Sequence, residues 1–159
     1  MEANITKTPE IVTRPKSYFI YLEKTGPFQV TAKAAWHEFW VKATNTVDEA
    51  QITSVLDMSK VDITKPNESG NIFRAGVTLK AMPSKIPDGL RMREVMAGKY
   101  AKFVLTGSYE QLPHAFPQIF IILAEAKIRV RDEYCVSVYV NSPEKTSEDK
   151  LLTEIFIPV

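Results

Sequence analysis

Cysteine occurs once in this chain, at Cys135, and histidine twice, at His37 and His114. A single thiol excludes a disulfide framework and a thiolate cluster for zinc. The histidines have no HxxxH, HxH or cysteine partner, so no metal site is expected. Glycine is scarce too, with six residues, and none falls in a GxSxG elbow, a P-loop or a GxGxxG fingerprint; no cofactor is expected. An excess of either charge is also missing. Twenty basic residues face nineteen acidic ones, a formal net charge of +1, so no overall field draws the chain to DNA, RNA or an anionic membrane. No stretch approaches the roughly 18 apolar residues of a membrane span, and the opening MEANITKTPEIVTRPK has no apolar leader segment. The expected setting is a reducing cytoplasm, with no membrane partner and no direct nucleic-acid binding. In that setting the sequon Asn67-Glu68-Ser69 reads as a plain loop.

What is present is a duplication. With 159 residues, 45% of them hydrophobic and 25% charged, the chain can bury a core as one domain or as two small fused halves. YFIYLEKTGPFQVTAKAAWHEFW (18–40) and YAKFVLTGSYEQLPHAFPQIF (100–120) both read as strand, Thr-Gly turn, aromatic residue and amphipathic helix, with Thr25-Gly26 and Thr106-Gly107 offset by 81. NIFRAGVTLKAMP (71–83) and YCVSVYVNSP (134–143) are period-2 strands ending in Pro83 and Pro143, an offset of 60, and LRMREVMAG pairs with LLTEIFIPV at that same offset. Each half reads β-α-β-β. The fold class is therefore α+β, a tandem duplication with pseudo-two-fold symmetry, antiparallel sheets carrying helices on one face, and a cleft between the halves. One domain spans 1–159, its first repeat about 17–97 and its second about 98–159. The change of offset places an insertion at about 45–70, where Thr46 or Asp48 caps a short helix through about Met58 and the rest, through Pro66 and Gly70, is loop. The corresponding link AKIRVRDE has basic residues without interleaved aromatics, which marks a solvated turn.

Leu112, Ala115, Phe116, Ile119, Phe120 and Leu123 follow helical spacing and form a buried face, with Pro113 and Pro117 confining the helix start. Ala35, Trp36, Phe39, Trp40 and Ala43 form the equivalent stripe, and Trp36 and Trp40 are large enough for its edge to line a cavity. In the strands, alternation puts Val136, Val138 and Val140 on one face of CVSVYVN and Cys135, Ser137, Tyr139 and Asn141 on the other. In LLTEIFIPV, Ile155 and Ile157 take one face, and Glu154, Phe156 and Pro158 the other. The β-branched faces are expected to carry the helices. Tyr139, Phe156 and Glu154 then share a mixed face that suits a ligand cleft, with Glu94 as the repeat mate of Glu154. The alternative is that both glutamates face water.

Four motifs carry a family resemblance: Gly98-Lys99-Tyr100-Ala101, Gly107-Ser108-Tyr109-Glu110, Tyr139-Val140-Asn141-Ser142-Pro143 and the closing Thr153 to Pro158. Taken in order they resemble the GyrI-like family, the effector-binding domains of AraC- and MerR-type multidrug regulators and their free-standing relatives. The second half matches well, and the first half, through Lys24-Thr25-Gly26-Pro27-Phe28, more loosely. The resemblance implies a tandem β-α-β-β fold whose hydrophobic, aromatic-lined cleft binds bulky, often cationic, organic molecules, with no DNA-binding module present. Many relatives carry a glutamate two residues before the Tyr-x-Asn tyrosine; Ser137 stands there in this chain, so the charge falls to Glu154 or Glu94. The ligand-binding candidates are Glu154, Tyr139, Ser137, Phe156, Glu94, Trp40 and Tyr109. The leading expectation is a non-enzymatic binder of lipophilic or cationic small molecules. Two alternatives stand beside it: a hydrolase of reactive electrophiles in which Glu154 is general base beside Tyr139 or Tyr109, and a gyrase-inhibitor-like module with a protein partner.

Overall fold

The computed structural model describes residues 2–60 and 70–159; the sequon and the loop through Pro66 lie outside the described residues. In chain order the elements are β1 (Glu10–Arg14), β2 (Ser17–Thr25), α1 (Phe28–Ala43), β3 (Ile52–Lys60), β4 (Ile72–Leu79), β5 (Arg91–Val95), β6 (Gly98–Thr106), α2 (Leu112–Glu125), β7 (Cys135–Tyr139) and β8 (Leu152–Pro158). They sort into two compact units, Pro15–Ala97 and a second in which the N-terminal segment through Arg14 joins Gly98–Val159. The class is α+β, with antiparallel strands and one long helix on a sheet face in each unit.

In the first unit the strand order is β3-β4-β2-β5. Helix α1 lays Ala35, Phe39 and Ala43, spaced four apart, onto Ile20, Leu22, Ala75 and Val77. In the second unit the order is β1-β6-β8-β7, and α2 lays Ala115, Ile119 and Leu123 onto Ala101, Phe103, Leu105, Ile155 and Ile157. Both helices follow a Thr-Gly turn whose glycine has a positive φ, 142° at Gly26 and 112° at Gly107, a region that a Cβ disfavours. Each of these glycines donates its N–H at 2.8 Å to the residue just before an equivalent strand, Gly26 to the Asn71 carbonyl before β4 and Gly107 to the Leu151 carbonyl before β8. Pro117 lies inside α2 rather than at its start. The helix begins early, at Leu112, because a 3-10 turn at Tyr109–Gln111 leads directly into it.

Two expectations are corrected. The inserted helix through Met58 is absent: a 3-10 turn at Glu49–Gln51, capped by the Asp48 carboxylate, gives way to strand β3. Leu56, Asp57 and Met58 are buried in succession, so both faces of this strand are covered. A strand of that kind shows a continuous apolar run, and three of its residues happened to fit helical spacing. β-Branched Ile52, Thr53 and Val55 favour the extended form.

The offset of 60 is the second correction. Strand order equates β2 with β6, β3 with β7 and β4 with β8, and Ala75 and Ile155, or Asp57 and Ser137, stand 80 apart. The outer strands differ in origin. β5 follows its unit's β-α-β-β core, whereas β1 precedes its own, yet each pairs with the first core strand.

Candidate functional site

Residues directly opposite in an antiparallel pair share a face, which fixes where the candidates of the second unit point. Ser137 pairs with Ile155 and Tyr139 with Thr153, so both lie on the α2 side with Ile155 and Ile157. Val136 pairs with Phe156 and Val138 with Glu154. The expected grouping of Tyr139 with Glu154 and Phe156 is therefore corrected. The expectation assumed that the valines of β7 would face the helix; in the sheet the register turns them away and gives the helix side to Cys135, Ser137 and Tyr139.

On the α2 side, Ser137 is buried, and the Tyr139 ring meets Tyr109 edge to face, with centroids 5.2 Å apart at 78°. Burial pushes the Tyr109 phenol above its ordinary pKa. The opposite face holds a different assembly. Glu154 accepts a charge-assisted contact from Lys102 at 2.8 Å, and this hydrogen bond raises the Lys102 pKa. The Arg14 guanidinium sits 4.4 Å from the centroid of the Phe156 ring, which in turn meets Tyr100 edge to face. Burial lowers the Arg14 pKa, while Tyr100 and Glu154 act to raise it. Glu154 is thus a carboxylate matched to cations of its own unit, and no general-base pair with Tyr139 or Tyr109 is formed.

Glu94 and Trp40 belong to the first unit. Glu94, on β5, lies opposite Tyr18 and pairs with Lys16. It is not the repeat mate of Glu154, since β8 corresponds to β4; Arg74 takes that place, bound to Glu23 at 2.7 Å. Trp40 is 41% exposed and packs against Phe39 and, in stacked orientation, Trp36.

The residue that sequence reasoning missed is Asp57. It pairs with Ala75, a helix-facing core residue, and is only 5% exposed. In the first unit it occupies the position that Ser137 takes in the second. The signal was available once β3 is read as a strand, because the offset of 80 aligns Asp57 with Ser137 and Ser59 with Tyr139. Among the described residues no group of three or more His, Cys, Asp and Glu side chains is placed to hold a metal ion, and no helix is long and apolar enough to cross a membrane.

Two β-α-β-β repeats, each with a helix on one sheet face, define an α+β duplication. The family model of the GyrI-like small molecule binding domain matches residues 7–159, and the chain belongs to that family. Its structure is similar to that of SAV2435 bound to tetraphenylphosphonium, with a TM-score of 0.73 at 12% identity over 95% of this chain and 93% of that one. It is also similar to the EcmrR C-terminal domain, with a TM-score of 0.74 at 11% identity over 94% and 95%. A hydrolase encoded by lin2189 from Listeria innocua is a further neighbour, with a TM-score of 0.57 at 10% identity over 96% and 92%. At these identities the likeness is one of fold. No curated protein matches the chain in sequence.

Proposed function

We propose that this protein binds bulky lipophilic organic molecules, cations among them, without transforming them. The observation that carries the reading is the match of nearly the whole chain to a small-molecule-binding family. A structural neighbour solved with tetraphenylphosphonium supports the cationic preference. Each unit has matching chemistry of its own, the part-exposed Trp40 and the buried Asp57 in the first and the Tyr109–Tyr139 pair in the second. A desolvated carboxylate favours a weakly hydrated cation over a neutral ligand, and each aromatic face adds about 0.5–2 kcal/mol for a cation placed over it.

In this reading Asp57, which holds in the first unit the strand position that Ser137 holds in the second, is the carboxylate that meets the cation. Calorimetric titration with tetraphenylphosphonium tests it, with neutral triphenylphosphine oxide as the control. Saturable binding that Asp57→Asn weakens for the cation more than for the oxide is the expected result. If neither probe binds, nor any of a panel of lipophilic dyes, the reading fails.

A hydrolase of reactive electrophiles is the second reading, favoured by the Listeria innocua neighbour. Because Glu154 is engaged by Lys102 on the face opposite Tyr139, its general-base form with these residues requires a rearrangement. Epoxide turnover abolished by Glu154→Gln would establish it.

A further inference from the structure

The first unit contains a cleft of about 490 Å³ where α1 ends and the chain turns into β3. Its most deeply buried lining residues are Phe39 and Val77, both fully excluded from solvent, and Trp40 borders it as a part-exposed wall. Asn45, with φ of 66°, reverses the chain after the helix; asparagine tolerates this left-handed conformation better than most residues. The segment that follows brings Asp48 and Glu49 to the cleft. Among the described residues lining it there is no basic side chain. Lys42, in the last turn of α1, is drawn to Glu38 at 3.9 Å.

We infer that this cleft is a second binding site, for a small organic ammonium ion carrying one aromatic ring. The volume lies in the range of about 300–1,000 Å³ typical of small-molecule sites. Val47 and Ile52, only partly buried over the Phe39–Val77 core, offer an apolar bed for a ring, and Trp40 is the aromatic side chain that attracts an ammonium most strongly. The charge sources agree in sign: two carboxylates, and the negative end of the α1 macrodipole. The Asp48 carboxylate is held in place because its Oδ1 accepts the Ala50 N–H at 3.0 Å, which leaves Oδ2 with no hydrogen bond among the described residues. A metal ion would find fewer than three grouped ligands here, whereas a hydrophobic ammonium uses the carboxylates and the apolar bed together. The site lies within one unit and shares only Trp40 with the binding proposed above, so the Asp48 and Glu49 variants tell the two apart.

The test is an amide and indole chemical-shift titration of the full chain with benzyltrimethylammonium, and with benzyl alcohol as the uncharged probe. Expected are saturable shifts at the Trp40 indole and at residues 43–52, with tighter binding of the ammonium than of the alcohol. The double variant Asp48→Asn with Glu49→Gln should weaken the ammonium about tenfold and leave the alcohol unchanged. Asparagine at 48 still accepts the Ala50 N–H, and an unchanged thermal midpoint confirms that the turn survives. Trp40→Leu should weaken the ammonium by a comparable factor. Absence of saturable shifts at millimolar probe, equal binding by the double variant, or shifts that saturate only outside residues 39–52 would each overturn the assignment. The last outcome would leave the tetraphenylphosphonium reading intact.

Discussion

The first unit carries Arg74 where the second carries Glu154, Asp57 where the second carries Ser137, and Gly76 where the second carries Phe156, each pair 80 residues apart in equivalent strands. Positions set by backbone geometry or by helix–sheet contact differ far less. Gly26 and Gly107 keep the same turn, and Ala35 and Ala115 the same close approach of helix to sheet, both fully buried. Duplication thus preserved what the β-α-β-β unit needs in order to fold, while the charged and aromatic positions diverged in sign and size. On the face away from the helix the first unit stacks Phe19 on Tyr21 along one strand, at 4.9 Å. The second instead sets Tyr100 against Phe156 across two strands.

The largest effect is expected where this exchange is tightest. A Cβ at Gly76 would lie 1.9 Å from the Ile20 carbonyl oxygen and 2.8 Å from the Tyr21 Cα, both backbone atoms that cannot swing aside. Gly76→Ala should therefore cost more than about 3 kcal/mol in urea unfolding. At the equivalent site Phe156→Ala removes a buried ring instead and should cost about 3–5 kcal/mol by leaving a cavity. One position then fails by overcrowding and the other by emptiness. A tolerated Gly76→Ala would show that β2 and β4 can separate.

A smaller difference is expected between the two ionic positions. Arg74 is mostly buried, bonds Glu23 at 2.7 Å and stands 5.0 Å from the centroid of the Tyr21 ring. Arg74→Met leaves Glu23 its contact with the exposed Arg91 at 3.3 Å and should lose about 2 kcal/mol. Glu154→Gln keeps the size of the side chain and removes a better-solvated pair, so its cost should stay below about 1 kcal/mol. Equal losses would mean that burial does not separate the two pairs.

The two turns offer a finer contrast. A Cβ at Gly107 would meet the Gln111 side-chain nitrogen at 2.6 Å, whereas at Gly26 it would meet the Thr31 methyl at 3.2 Å. Gln111 also bonds the Thr106 carbonyl and the Asn4 N–H, so moving it disturbs more than the turn. Both alanine variants should lose about 1–2 kcal/mol from the positive φ, with Gly107→Ala the more costly in a thermal melt.

Legibility followed the number of covered faces. α1, α2 and the Thr-Gly turns were readable because one exposed side makes the period visible and the turn demands glycine. β3 was not, since Leu56, Asp57 and Met58 are all buried and no alternation survives. With β3 misread, the offset between repeats came out as 60, Glu94 was paired with Glu154, and Asp57 was passed over. β1 escaped notice because Glu10–Arg14 is short and mostly polar, and becomes a strand through its pairing with β6. The aromatic candidates Tyr109 and Tyr139 do meet. Their separation from Glu154 depends on the β7–β8 register, which alternation within one strand cannot give.

The smallest expected effect separates the units by pH. The Lys102 pKa is raised chiefly by its hydrogen bond to Glu154. In the unfolded chain a lysine titrates near about 10.4, so the folded state holds this proton more tightly. The stabilisation is fully present below that value and is lost as pH rises through the higher folded pKa. For a partly exposed pair it amounts to about 0.2–1 kcal/mol. Lys102→Arg should flatten this alkaline loss, because a guanidinium keeps its charge beyond about pH 12. The first unit already carries a guanidinium at Arg74, bonded to Glu23, so Arg74→Lys should add a second alkaline loss to the one that Lys102 gives. Stability measured from pH 9 to the alkaline limit of folding, in wild type and both variants, checks the contrast; identical profiles would show that neither ion pair contributes.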